Sequence, residues 1–167
     1  ARCGNLFEHN ICDPDDLVGS YVDFMMDTPG IFEFDKSGNF QKTNLKLGTR
    51  IMDLIKSKHL TERDIRGAIH QIFTNVRLKE FVEIRGADRT PRGFEIAPAA
   101  FWVGLLLNDK TRNEVYNQVI SWSNEDRKVF NQCAFSLELD QKGPEGKPFR
   151  YWINLFSEHS IKGLERR

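Results

Sequence analysis

The chain has little of several things that would settle its role at once. Cysteine occurs only at Cys3, Cys12 and Cys133, with no C-x-x-C spacing. Neither a disulfide framework nor a zinc site is indicated, and free thiols in a reducing cytoplasm are the expectation. Neither charge dominates, with 24 Lys and Arg against 24 Asp and Glu. That balance removes a general electrostatic case for nucleic acid or an anionic membrane surface. The longest apolar run, Ala97 to Leu107, falls short of the ~20 residues a membrane span needs, and the opening residues do not read as a signal peptide. His9, His59, His70 and His159 lack metal-ligand spacing. No Ser/His/Asp or Cys/His order suggests a hydrolase, and no glycine-rich phosphate loop is present.

At 167 residues the length suits one domain with a real core. Asp13-Pro14-Asp15-Asp16 predicts a helix start, with Asp13 as N-cap and Pro14 in the first turn. Leu17, Val18, Tyr21, Val22 and Met25 recur at helical spacing until Pro29. Ile31 to Phe34 and Phe40 to Lys42 flank Asp35-Lys36-Ser37-Gly38 and predict a β-hairpin. Leu47 to Ile55 predicts a short helix. Thr61 with Asp64 predicts a capping box, with Ile65, Ile69, Ile72 and Phe73 on the apolar face behind it. The loop 88–93 is followed by a helix over 97–107 that is apolar nearly all round and therefore expected to be buried. Helices over 111–122 and 123–132, the latter capped by Ser123 with Asp126, a loop over 141–146 and a last helix from Pro148 complete an α+β chain: several helices on a small antiparallel sheet. No internal boundary or repeat is visible.

The most informative stretch runs from Val76 to Asp88, VRLKEFVEIRGAD. Its residue types alternate as a strand's do. One face takes Leu78, Glu80, Val82 and Ile84; the other takes Arg77, Lys79, Phe81, Glu83 and Arg85. A carboxylate two residues from an arginine on one face suits a metal-bound phosphate: Glu83 for the cation, the Arg85 fork for phosphate oxygens. The alternative is a solvated strand face, with Glu83 and Arg85 a surface ion pair of little worth.

This stretch, followed by Ala99-Ala100-Phe101-Trp102-Val103-Gly104-Leu105-Leu106, resembles the glutamate–cysteine ligases of plants and proteobacteria, which carry R-L-K-x-x-x-E-x-R-G-A-D and then P-A-F-W-V-G-L-L. Arg2-Cys3-Gly4, Tyr21 to Pro29 and Gly163-Leu164-Glu165-Arg166-Arg167 extend the resemblance along the chain. It implies a glutamine synthetase/guanidino kinase-like catalytic fold, of which 1–167 is the C-terminal portion of a single domain. The N-terminal half, with glutamate-rich metal-binding strands, would belong to the same enzyme, and the fragment would be inactive alone. The implied reaction is ATP-dependent joining of the glutamate γ-carboxylate to the cysteine amine through γ-glutamyl phosphate. The implied cofactors are ATP and Mg2+, with Glu83 as metal ligand, Arg85 as the catalytic group on the transferring phosphoryl, and Lys79 and Arg77 as further phosphate-binding cations. Two departures stand out: Arg89-Thr90-Pro91-Arg92 replaces the family's G-G-P-W, and Ile31 replaces a tyrosine. A related ligase with another amine acceptor, or a non-catalytic partner-binding module, are the competing expectations.

Overall fold

A computed structural model describes residues 5–9, 11, 13–35 and 37–166. The Arg2-Cys3-Gly4 motif, Cys12, Lys36 and Arg167 lie outside the described residues. Two compact units divide the chain, the first ending at Gly86 and the second beginning at Ala87. The break falls inside the R-G-A-D run, where composition gives no sign of a boundary.

In the first unit a 3-10 turn at Leu6–His9 leads to α1 (Leu17–Asp27), a hairpin of β1 (Phe32–Phe34) and β2 (Phe40–Lys42), α2 (Leu47–Lys56), α3 (Glu62–Ile69) and a second hairpin of β3 (Val76–Leu78) and β4 (Val82–Ile84). Helix α1 starts later than Asp13: that carboxylate accepts from Asp15 N at 3.0 Å, closing a turn, and Asp16 is the N-cap. The first hairpin turns where expected. Gly38 supplies φ +80°, and the Asp35 carboxylate accepts from the backbone N–H groups of Ser37 and Asn39, both at 2.8 Å, which is how Asp stabilises a turn. The Thr61–Asp64 capping box opens α3.

Ile11, Tyr21, Met25, Leu47, Ile51, Ala68 and Ile72 form the core of this unit, with Leu78 packed against it. Val18 and Val22 face out. Buried Gln71 joins two elements: its Oε1 accepts from Ile31 N at 2.6 Å and Phe32 N at 3.0 Å, while its Nε2 donates to Gly67 O at 3.1 Å. A single amide thus satisfies the inner edge of β1 and ties it to α3.

The second unit is helical: α4 (Ala97–Leu106), α5 (Asp109–Ile120), α6 (Asn124–Cys133), a 3-10 turn at Pro144–Gly146 and α7 (Phe149–Glu165). Ser123 and Asp126 form the expected capping box. Helix α4 is not buried all round as expected. Only Gly104 and Leu105 are fully buried, because its tight contact is with one helix, α7. There Ser160 Oγ donates to Phe101 O at 3.0 Å, and a Cβ on Gly163 would lie 1.8 Å from Gly104 O. Glycine is required for backbones to approach so closely. Trp122, Phe130, Phe149, Trp152 and Phe156 make an aromatic core in edge and offset arrangements that aromatic rings favour. Fully buried Trp152 donates from Nε1 to Pro144 O at 3.1 Å. Cys133 is a buried free thiol; burial pushes its pKa up, so it packs rather than reacts.

The molecule is α+β: mostly helical, with two small antiparallel hairpins, consistent with a glutamine synthetase-like arrangement.

Candidate functional site

The charged run is a hairpin rather than one strand. Its antiparallel register pairs Val76 with Ile84, Arg77 with Glu83 and Leu78 with Val82. Lys79 N donates to Phe81 O at 2.9 Å within the turn, and Arg85 N donates to Asn75 O at 2.7 Å below the ladder. Alternation alone cannot separate these outcomes, because a reversal after Leu78 preserves it on both arms. The face assignment also changes. Arg77, placed by alternation on the charged face away from the core, is 8% exposed, whereas Val82, expected to pack inward, is 61% exposed. Leu78 is the anchor: it meets the core, and its N–H donates to Tyr21 Oη at 3.3 Å.

Reversal changes the partner of each charged residue. Glu83 does not pair with Arg85. Its Oε2 accepts from Arg77 Nε at 2.6 Å, lies 2.5 Å from Arg77 Nη2 and 3.4 Å from Lys79 Nζ. The Arg77 hydrogen bond foremost, with Lys79 adding to it, holds the Glu83 carboxyl below the usual range. Arg77 Nη1 donates to His70 O at 3.0 Å and Ile72 O at 3.3 Å, just past the end of α3. Arg85 is exposed, its guanidinium 5.0 Å from the Phe73 ring. Among the described residues no carboxylate pairs with it. Lys79 also lies 4.8 Å from the Phe81 ring.

Beside the turn lies an open cleft of about 510 Å³ lined by Glu62, Ile65, Arg66, Ile69 and His70 from α3 and its end, and by Lys79, Glu80 and Phe81. Its volume lies within the range of small-molecule sites. Arg66 closes one side, bridging Glu62 at 2.8 Å and Glu80 at 2.7 Å. Nothing in the sequence pattern joined α3 to the charged run. Only the hairpin register brings His70, Arg66 and Lys79 around one opening.

The fit to a metal is narrow. Magnesium takes near-octahedral oxygen ligands, and no group of three or more His, Cys, Asp or Glu gathers among the described residues. Glu83 Oε2 is committed to two cations, leaving Oε1. Taken alone, the described residues do not fit a resident metal; they offer it one oxygen.

Residues 1–135 match glutamate-cysteine ligase family 2, and the chain belongs to that family. It is 32% identical over 158 residues to the chloroplastic glutamate–cysteine ligase of Medicago truncatula, covering 92% of this chain and 31% of that protein. The chloroplastic ligase of Solanum lycopersicum is 32% identical over 163 residues, covering 92% of this chain and 30% of its own length. Ligase A of Oryza sativa subsp. indica, also chloroplastic, is 30% identical over 163 residues, with 92% and 32% covered. The chain thus spans under a third of the length of these relatives. The expectation of a cytoplasmic protein is overturned: these relatives are named as chloroplast proteins, and free thiols do not distinguish the two compartments. No helix of the described residues is long and apolar enough to cross a membrane.

Proposed function

We propose that this chain is the C-terminal portion of the catalytic region of an ATP-dependent ligase that joins the glutamate γ-carboxylate to the cysteine amine. The observation that carries the reading is the family match over 1–135, which takes in the whole charged hairpin. In the proposed reaction the γ-carboxylate attacks the terminal phosphorus of ATP and ADP leaves. The amine then attacks the acyl phosphate carbon, phosphate departs and the amine loses a proton. Arg85 grips the oxygens of the transferring phosphoryl, where a fixed planar cation opposes developing charge. Its fork is exposed and pairs with no carboxylate among the described residues, which supports that role. Lys79, at the mouth of the cleft, adds positive potential. Magnesium neutralises phosphate oxygens when bound. Of the described residues, Glu83 would be the one to help hold such an ion.

A second reading is a ligase of the same chemistry with another amine acceptor. The loop 88–95 favours it: Arg89 and Arg92 line an open cleft of about 520 Å³ with Asp88 and Glu95, a different surface from one built on two glycines. The test is product analysis by mass spectrometry with full-length protein, ATP, glutamate and a panel of amines. γ-Glutamylcysteine as the main product supports the first reading, and another γ-glutamyl amide supports the second. ATP-independent behaviour with no amide from any amine refutes both and leaves the non-catalytic module.

A further inference from the structure

We infer that Arg77 is a positioning residue, which fixes the Glu83 carboxylate instead of contacting a phosphate; the inference rests on the ligase reading above. Every guanidinium nitrogen is engaged. Nε and Nη2 meet Glu83 Oε2, and Nη1 meets the carbonyls of His70 and Ile72. Those carbonyls follow the last turn of α3, where backbone acceptors lack helical partners and a cation is favoured. The side chain is almost completely covered, and Phe73 lies 5.9 Å from it. A phosphate could reach this guanidinium only by displacing Glu83 or the carbonyls, leaving buried groups unpaired.

The arrangement serves Glu83 in a specific way. Arg77 and Glu83 sit opposite each other in the hairpin register, where cross-strand side chains approach most closely. Because both nitrogens bind Oε2, the carboxylate is anchored by one oxygen, while Oε1 accepts no hydrogen bond among the described residues. Arg77 therefore works on the reaction only through Glu83. Arginine fits the task and lysine does not, since one ammonium cannot span the carboxylate and two carbonyls.

The experiment is a double-mutant cycle on the full-length protein with Arg77→Gln, Glu83→Gln and the pair together. It is read as ligation rate, as ATP affinity by equilibrium binding and as unfolding midpoint. A positioning role predicts that R77Q slows ligation at least tenfold while ATP affinity stays within about twofold, and that the double variant is no slower than E83Q, because residues acting as a unit are not additive. Arg77→Lys should recover part of the rate. A tenfold or greater loss of ATP affinity in R77Q, or a double variant tenfold slower than E83Q, would overturn the proposal. If R77Q fails to fold, R77K and the double variant, which removes both members of the pair, carry the comparison. A wild-type protein that joins no amine would refute the ligase reading alone. The unfolding midpoints still test the pair, and strictly additive losses would count against it.

Discussion

Replacing Gly163 by alanine should unfold the second unit more readily, although alanine is the better helix former. The added Cβ would sit 1.8 Å from Gly104 O, 2.8 Å from Gly104 C and 3.2 Å from Gly104 Cα. All three are backbone atoms, so no side-chain rotation relieves the clash and α4 must shift away from α7. Overpacking of a close interface costs about 1–3 kcal/mol, and a backbone obstacle puts this case at the upper end. Alanine returns about 1 kcal/mol of helix propensity. The net is a loss of roughly 2 kcal/mol, or about 8–16 °C in unfolding temperature for a unit near this size. Gly67→Ala is the matched control: an added Cβ meets nothing within 4 Å inside α3, so the propensity gain of about 0.5–1 kcal/mol should appear unopposed. Both are read by thermal and urea unfolding followed by circular dichroism. A neutral or stabilised Gly163→Ala protein would refute the claim that α4 and α7 touch through their backbones.

The Ser123→Ala variant should lose about 1 kcal/mol by urea unfolding, since it removes the hydroxyl that accepts from Asp126 N at the start of α6. Stability should fall on acidification. Asp126 has its carboxyl lowered, chiefly by the Glu145 backbone N–H and then by Ser123. A carboxyl lowered on folding contributes stability above its unfolded value of 3.8, and that contribution is lost as pH drops through the folded value. Asp126→Asn should therefore flatten the dependence of unfolding midpoint on pH between about 5 and 2; an unchanged slope would contradict the assignment. In the full-length enzyme Glu83→Gln should raise the magnesium concentration needed for half-maximal ligation by at least tenfold, read from magnesium titrations of initial rate.

How far the fold could be read from sequence depended on the range of the signal. Thr61–Asp64, Ser123–Asp126 and the Asp35–Gly38 turn are local: each side chain satisfies backbone groups within four residues, so spacing alone locates them. The start of α1 escaped because Asp13 and Asp16 are both capable caps, and the choice depends on Asp13 closing its own turn. The charged hairpin escaped for a different reason. Lys79-Glu80-Phe81 carries no Gly, Pro, Asn or Asp to announce a reversal, and the turn is fixed by distant partners, Tyr21 for Leu78 and the end of α3 for Arg77. Burial of an arginine is likewise invisible until its partners are assembled. Helix α4 read as buried because hydropathy reports capacity for burial, whereas the tight contact comes from small residues, Gly104 against Ser160 and Gly163. Of the proposed site, sequence named Arg77, Lys79, Glu83 and Arg85. The cleft lined by Lys79 and the pairing of Arg77 with Glu83 needed the hairpin register.

The most direct test of the central claim is the ATP-dependent ligation rate of the full-length protein with Arg85 intact, and with Arg85→Lys, at saturating glutamate and amine. A point charge cannot replace the planar fork on a transferring phosphoryl group, so the rate constant should fall by about a hundredfold or more while the unfolding midpoint holds. An Arg85→Lys enzyme that ligates at the wild-type rate would contradict the account.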